Sequence, residues 1–246
     1  MYISARILVF HILDIDDEFI SFFSNIETTI ITFIVFVLLF YNYITLEGIY
    51  KNRKTIGLIT IGLFMFFIAE LVWTLYTVFL ERDPFPSIGD FFYILGYIPL
   101  IYVLYNKTKS IPVTPEKNRY LLSLVSVFIL TLLSIFLIII PIIQEMIRGY
   151  NIFEGIILFL YPLLDLLLLF YSIALYSKYA GGEIEIPWLV LTLAILFNYI
   201  ADLIYLYEDW NEIYTSHTWS DDLFVTFYCL TALFGQLMRE TFKSNT

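Results

Sequence analysis

The chain has 246 residues, of which 60% are apolar and only 15% charged, with 23 acidic residues against 13 basic ones. A soluble domain carries about 25% charged residues, so this composition excludes a disordered chain. A net charge of -10 excludes a phosphate-backbone binder, and the single cysteine, Cys229, excludes an intrachain disulfide framework.

A helix needs about 20 mostly apolar residues to cross a bilayer, because every backbone amide must be paired within its own segment. Seven stretches meet this, so the expected fold is an all-α integral membrane protein with seven transmembrane helices. In chain order they run from about Thr28 to Leu46, Thr55 to Leu80, Asp90 to Tyr105 and Tyr120 to Ile143. The last three run from about Ile152 to Tyr176, Pro187 to Tyr207 and Asp221 to Met238. Residues 1–26 precede them as an outer interfacial amphipathic segment, and 27–243 form the membrane domain. Asp14, Asp16, Asp17 and Glu18 stand where a signal peptide would need small residues, which argues against one. Pro112 and Pro115 mark the tract between Lys107 and Lys117 as the linker.

Basic loops stay cytoplasmic. One alternate set of connections carries Lys51, Arg53, Lys54, Lys107, Lys109, Lys117, Arg119, Lys178, Arg239 and Lys243, against Arg6, Arg82 and Arg148 on the other. The expected orientation is N-terminus out and C-terminus in. Trp210 and Trp219 fit an outer aromatic belt and Trp188 an inner one.

Shifting the chain against itself by 132 residues aligns Ala69-Glu70-Leu71-Val72-Trp73 with Ala201-Asp202-Leu203-Ile204-Tyr205, and, without a gap, Asp90-Phe91-Phe92 with Asp222-Leu223-Phe224. Each half places one acid inside a span and a second 20 residues later at the start of the next. This predicts a 3+1+3 parallel pseudo-repeat, with 28–105 and 152–238 as the halves and 120–143 as a linker helix. A pocket between the halves is the geometric expectation.

Glu70, Asp165 and Asp202 fall inside spans, and no lysine or arginine lies deep in any span to pair with them. Such an acid must be protonated, hydrogen-bonded, hydrated or joined by a cation. Asn198, Tyr161, Tyr199, Tyr205 and Thr74 are the nearby polar candidates. Glu70 and Asp202 lie about 15 residues, or about 22 Å, from the cytoplasmic helix starts, with Trp73 and Tyr205 each about one turn further out on the same face. An outward pocket with an acidic floor and aromatic walls suits a proton, a cation or an amine held by cation–π attraction. Two other readings stay open: the buried acids as hydrogen-bonding ties between helices, and Asp90 and Asp222 as helix N-terminal caps. Pro162, three residues before Asp165, predicts a kink.

No nucleophile elbow, zinc-protease helix, phosphate loop or dinucleotide loop occurs, and the two histidines, His11 and His217, fall in outer segments. No metal site, cofactor or catalytic residue is expected, and the last span lacks the lysine of a retinal protein.

The stretch Pro84-Phe85-Pro86-Ser87-Ile88-Gly89-Asp90-Phe91-Phe92-Tyr93-Ile94-Leu95-Gly96-Tyr97 resembles the Pro-x-Pro-Ser-(Leu/Ile)-(Ala/Gly)-Asp-x-x-Tyr-Leu-x-Gly-Tyr stretch in the N-terminal membrane regions of prokaryotic signalling proteins. Tyr161-Pro162-Leu163-Leu164-Asp165 resembles their Tyr-Pro-x-x-Asp, and Ala201-Asp202-Leu203-Ile204-Tyr205 their later Ala-Asp-x-x-Tyr. Those regions commonly precede diguanylate cyclase, phosphodiesterase or histidine kinase domains. The resemblance implies a membrane-embedded sensory module with an outward pocket and a cytoplasmic C-terminus. Here eight residues follow Met238, so an output domain is not expected and a separate cytoplasmic or membrane signalling partner is.

The expected function is therefore that of a non-enzymatic sensor or receptor in the cell membrane, binding a small ligand or cation. The expected site residues are Glu70, Trp73, Asp90, Tyr161, Asp165, Asn198, Asp202, Tyr205 and Asp222. A small proton- or cation-coupled transporter is the alternative, using the same acids. The bilayer is the expected surrounding, and no nucleic-acid partner is expected.

Overall fold

The computed structural model describes residues 17–46, 50–111, 117–147, 151–210, 213–214 and 218–243. These residues form seven helices and no strand. They are α1 (Asp17–Thr45), α2 (Tyr50–Thr74, continued by a π-helical turn Leu75–Phe79), α3 (Ile88–Ser110), α4 (Lys117–Ser134, then a π-helical turn Ile135–Ile139 and Ile140–Ile147), α5 (Ile152–Tyr179), α6 (Glu185–Trp210) and α7 (Trp219–Lys243). Six of them, α1 to α6, are long and apolar enough to cross a membrane, which marks a multi-pass membrane protein.

The seventh helix forms where expected but falls short of that apolarity. Asp221, Asp222, Gln236, Arg239 and Glu240 occupy its ends. Its packing explains why a more polar sequence suffices. α7 lies between α6 and α1, and of its large apolar side chains Trp219 and Leu233 are exposed while Val225, Phe227, Phe234 and Met238 are buried. A helix covered by its neighbours does not need an apolar circumference.

The start of α1 also differs from expectation. It begins at Asp17, so 17–26 belong to the first spanning helix rather than to an interfacial segment, while 1–16, with Arg6 and His11, lie outside the described residues. The polarity of this stretch is one-sided: Ser24 and Asn25 are buried, whereas Phe19, Phe22 and Phe23 are exposed. The polar side faces the protein, and the aromatic side faces outward. Arg148, Pro112, Pro115 and His217 likewise lie outside the described residues.

Six helices close a ring in the order α1, α2, α3, α5, α6, α7, each packed on the next and α7 back on α1. α4 sits outside it against α5, with its π-helical turn touching α6. Most of its apolar side chains are exposed, and the contact is fixed by Ser134, whose hydroxyl is 2.8 Å from that of Tyr199, which also donates to the Leu130 carbonyl at 2.6 Å.

Local chemistry sets the helix ends. Ser87 caps α3 by accepting from the Gly89 amide, and the Asp90 carboxylate accepts from the Ser87 amide at 2.7 Å, closing a capping box. Asn151 caps α5 through the Phe153 amide. At the opposite end of α5, Lys178 donates to the carbonyls of Thr108 and Ile111 at 2.8 and 3.1 Å, tying α5 to the end of α3. Gly181 turns the chain from α5 to α6 at φ 76°, a conformation that favours glycine. Both Pro99 and Pro162 are accommodated inside continuous helices.

Between the Lys178 end and the buried acids, the ring interior is apolar and closes around a void of only about 10 Å³. Leu63, Leu100, Leu104, Leu168, Leu191 and Ile195 are all buried in one apolar cluster. Trp188, expected in an aromatic belt, belongs to this cluster instead, fully buried and stacked on Tyr179 with ring centroids 5.5 Å apart. α2 and α3 approach closely where Gly62 faces Gly96, as small residues permit between membrane helices.

Candidate functional site

At the end of the ring that carries the 80–87 and 211–218 connections, the interior is hollow. A cavity of about 90 Å³ lies among α1, α2, α3, α5, α6 and α7. One water needs about 10–15 Å³ on this measure, so it has room for several waters or a small ligand.

The acids enter it from different helices. Glu70 comes from α2, Asp90 from the first turn of α3, Asp202 from α6 and Asp221 from the first turn of α7. Each has a hydroxyl partner. Tyr228 of α7 donates to Glu70 Oε1 at 2.6 Å, and Tyr93 of α3 lines the same cavity. Tyr161 of α5 donates to Asp90 Oδ1 at 2.6 Å. Tyr214 donates to Asp221 Oδ1 at 3.3 Å, and burial together with that carboxylate holds the Tyr214 phenol well above its usual range, so it stays a donor.

Asp165 stands behind the cavity wall rather than in it, wholly buried on α5. Its Oδ1 accepts from Tyr97 Oη at 2.8 Å and Asn198 Nδ2 at 2.9 Å. The same two donors lie 3.4 and 3.3 Å from Asp202 Oδ2. Tyr97 and Asn198 thus join an acid of α5 to an acid of α6.

Aromatic rings close the remaining walls. Trp73 of α2 and Tyr205 of α6 meet edge to face with centroids 5.9 Å apart, and Tyr205 packs on Tyr214 at 4.8 Å. Phe66 lies between Tyr97 and Phe227. The π-helical turn of α2 begins two residues after Trp73, a feature frequent where a helix carries a functional group.

Of the nine residues singled out in the sequence, Glu70, Trp73, Asp90, Tyr161, Asn198, Asp202 and Tyr205 line this one cavity. Asp165 supports it from behind. Asp222 is buried but does not line it, and its neighbour Asp221 does, because successive helical residues point about 100° apart. Asp90 is not itself the N-cap of α3, which is Ser87, but closes the capping box from the third helical position and lines the cavity as well.

Of the tyrosines that hold the acids, sequence reasoning named Tyr161 and missed Tyr97, Tyr214 and Tyr228, and it missed the contribution of α1. Asp90, Tyr93 and Tyr97 are spaced three and four residues apart, one stripe of α3, which was a legible signal. Ser24, Asn25 and Thr28 of α1 also line the cavity. Thr74, one turn from Glu70, donates to the Asn25 carbonyl at 3.1 Å, and Thr29 donates to the Glu70 carbonyl at 3.2 Å. α1 and α2 are thereby fixed to each other beside the site.

Among the described residues no group of three histidine, cysteine, aspartate or glutamate side chains is placed to hold a metal ion. The acids ring the cavity instead of converging on a point: Glu70, Asp90 and Asp221 are each tied to a separate tyrosine hydroxyl, and Asp202 shares Tyr97 with Asp165. Neither a family model, nor a curated protein, nor a solved structure matches this chain.

Proposed function

We propose that this protein is a non-enzymatic sensor or receptor module of the cell membrane that binds a small ligand or cation in this cavity from the extracytoplasmic side. The observation that carries the reading is the convergence of Glu70 and Asp202, one from each triple of ring helices, on a single hollow walled by tyrosine and tryptophan. Carboxylates in a bilayer core are expensive to keep, by about 2.5–3.5 kcal/mol on insertion scales, and are retained where they serve a pathway or a ligand. A positively charged or amine-bearing ligand would meet both the acids and the ring faces.

Three further points support it. All described lysines and arginines sit near helix ends or in connections, and the hydrogen-bond partners of Glu70 and Asp202, the acids deepest in their helices, are tyrosine and asparagine. The basic residues cluster at the end opposite the cavity, which corresponds to the cytoplasm if basic loops stay inside. The packing order of the ring is unchanged when α1, α2 and α3 are exchanged with α5, α6 and α7, as a parallel pseudo-repeat requires. Ligand binding between the triples would then bias their packing, and a separate signalling partner would read the change. The motif resemblance to membrane sensory regions points the same way. The apolar interior beyond the acids, with a void of only about 10 Å³, favours a sensor over a transporter, which needs a polar route open to both faces.

The test is thermal unfolding of the full chain in lipid nanodiscs with sodium, calcium, methylammonium and tetramethylammonium chlorides at constant ionic strength. At least one cation should raise the Tm, and Glu70→Ala with Asp202→Ala should abolish that rise. A rise that survives the double substitution removes the cavity from the account.

A further inference from the structure

The arrangement of Asp165 and Asp202 asks for a hydrogen that no other group supplies. Oδ2 of Asp165 is buried and has no hydrogen-bond partner among the described residues. The tyrosine Tyr97 has one hydrogen, and the shorter of its two contacts is to Asp165 Oδ1. The amide of Asn198 is directed at Asp165 Oδ1, with Tyr97 Oη and Asp202 Oδ2 at 3.1 and 3.3 Å as its other acceptors. The two carboxyl groups thus meet across the same pair of donors, Tyr97 and Asn198.

The surroundings offer no countercharge. Tyr97 faces the pair from α3, Asn198 from α6, and Tyr161 and Tyr228 stand near Asp202 from α5 and α7. Asp90 lies beyond Tyr161, and Tyr199 is near Asp165. All the tyrosines are neutral donors, and the remaining charges are acids. Two full negative charges sharing two donors inside a membrane helix bundle repel each other without screening, and one proton between them removes the repulsion.

We propose that Asp165 and Asp202 bind a single shared proton, forming a proton site at the cavity wall. The hydrogen on one carboxyl supplies the donor that the other lacks, and it holds α5 to α6 beside Tyr97 of α3. Asp202 lines the cavity while Asp165 does not, so the proton is reached through Asp202. A cation that settles against Asp202 takes the proton's place: the carboxyl O–H bond breaks, the proton passes to water in the cavity, and the cation balances the second carboxylate. Occupancy by a cation and by the proton are then mutually exclusive. This last consequence rests on the ligand-binding reading above, whereas the proton site does not.

Infrared spectroscopy of the full chain in nanodiscs, with aspartate carboxyls labelled by carbon-13, separates the two. The unmodified protein at neutral pH should show the carbonyl stretch of one protonated, deuterium-sensitive aspartate pair. Asp165→Asn and Asp202→Asn, each checked for helicity by circular dichroism, should each remove that band completely. Its absence from the unmodified protein, which needs no variant, overturns the proton site, and so does its survival in either folded variant. A band that both substitutions remove, but that sodium and methylammonium leave unchanged while they raise the Tm through Glu70 alone, overturns the exchange and spares the proton site. A band present with no stabilisation by any cation fails the cavity reading instead.

Discussion

Replacing Asp165 with leucine should destabilise the folded protein by about 2–4 kcal/mol, because it strands two buried donors at once. Tyr97 and Asn198 both lose their nearest acceptor, at 2.8 and 2.9 Å. A buried donor left unmade costs about 1–3 kcal/mol, and leucine fills the space without offering a lone pair. Asp202, at 3.4 and 3.3 Å, and for Asn198 also Tyr97 Oη at 3.1 Å, are the acceptors left to them and recover part of the loss. Asp165→Asn keeps a carbonyl oxygen in place and should cost less than about 1 kcal/mol. Denaturant titration in mixed micelles reads both. Equal losses for the two substitutions would mean that volume, not the network, is what Asp165 provides.

The second large effect belongs to the α2–α3 contact. A Cβ at Gly96 would lie 2.6 Å from two ring carbons of Phe66 and 3.0 Å from the Gly62 carbonyl oxygen. Neither neighbour can give way easily. Phe66 is buried against Tyr93, Tyr97 and Phe227, and the Gly62 carbonyl is backbone. Gly96→Val should therefore force the helices apart and lower stability by about 1–3 kcal/mol or more, the range for overpacked cores. Because Phe66, Tyr93 and Tyr97 also line or support the cavity, the same substitution should weaken any cation-dependent rise in Tm. Wild-type stability in the same denaturant titration would contradict the close approach of α2 and α3.

These two residues illustrate what the chain discloses without coordinates and what it conceals. Intramembrane acids are visible in a sequence because they are improbable in hydrocarbon, so Glu70, Asp165 and Asp202 stood out. The aligned register of Glu70 with Asp202 also suggested a shared hollow. Asn198, one turn from Asp202, was legible as a partner, but the tyrosine partners Tyr97 and Tyr228 were hidden, since 20 tyrosines are spread through the chain and only packing decides which hydroxyl meets which carboxylate. Tyr228 reaches Glu70 across 158 positions of sequence, and no local period announces such a pair.

Polarity at a helix end was the other source of error. Ser24 and Asn25 fell within the expected interfacial segment because a one-dimensional reading averages the two faces of α1. Trp188 was assigned to a belt by its position, yet its neighbours Tyr179 and Phe234 draw it into the core. α7 was counted as a span by its length and central apolar run. Its ends are polar, and its place between α1 and α6 is what allows that.

The central claim, an acid-lined cavity open at one end of the bundle, is tested most directly by thiol accessibility. In a Cys229→Ser background, single substitutions Phe224→Cys at the cavity and Leu71→Cys on an exposed apolar face of α2 would be treated with membrane-impermeant cationic and anionic thiosulfonates. A cavity lined by carboxylates concentrates cations, so position 224 should react with the cationic reagent at least about tenfold faster than with the anionic one. Glu70→Gln with Asp202→Asn should reduce that ratio, and position 71 should stay unreactive. Equal rates for the two reagents at position 224, or no reaction there from either side of the membrane, would contradict the account.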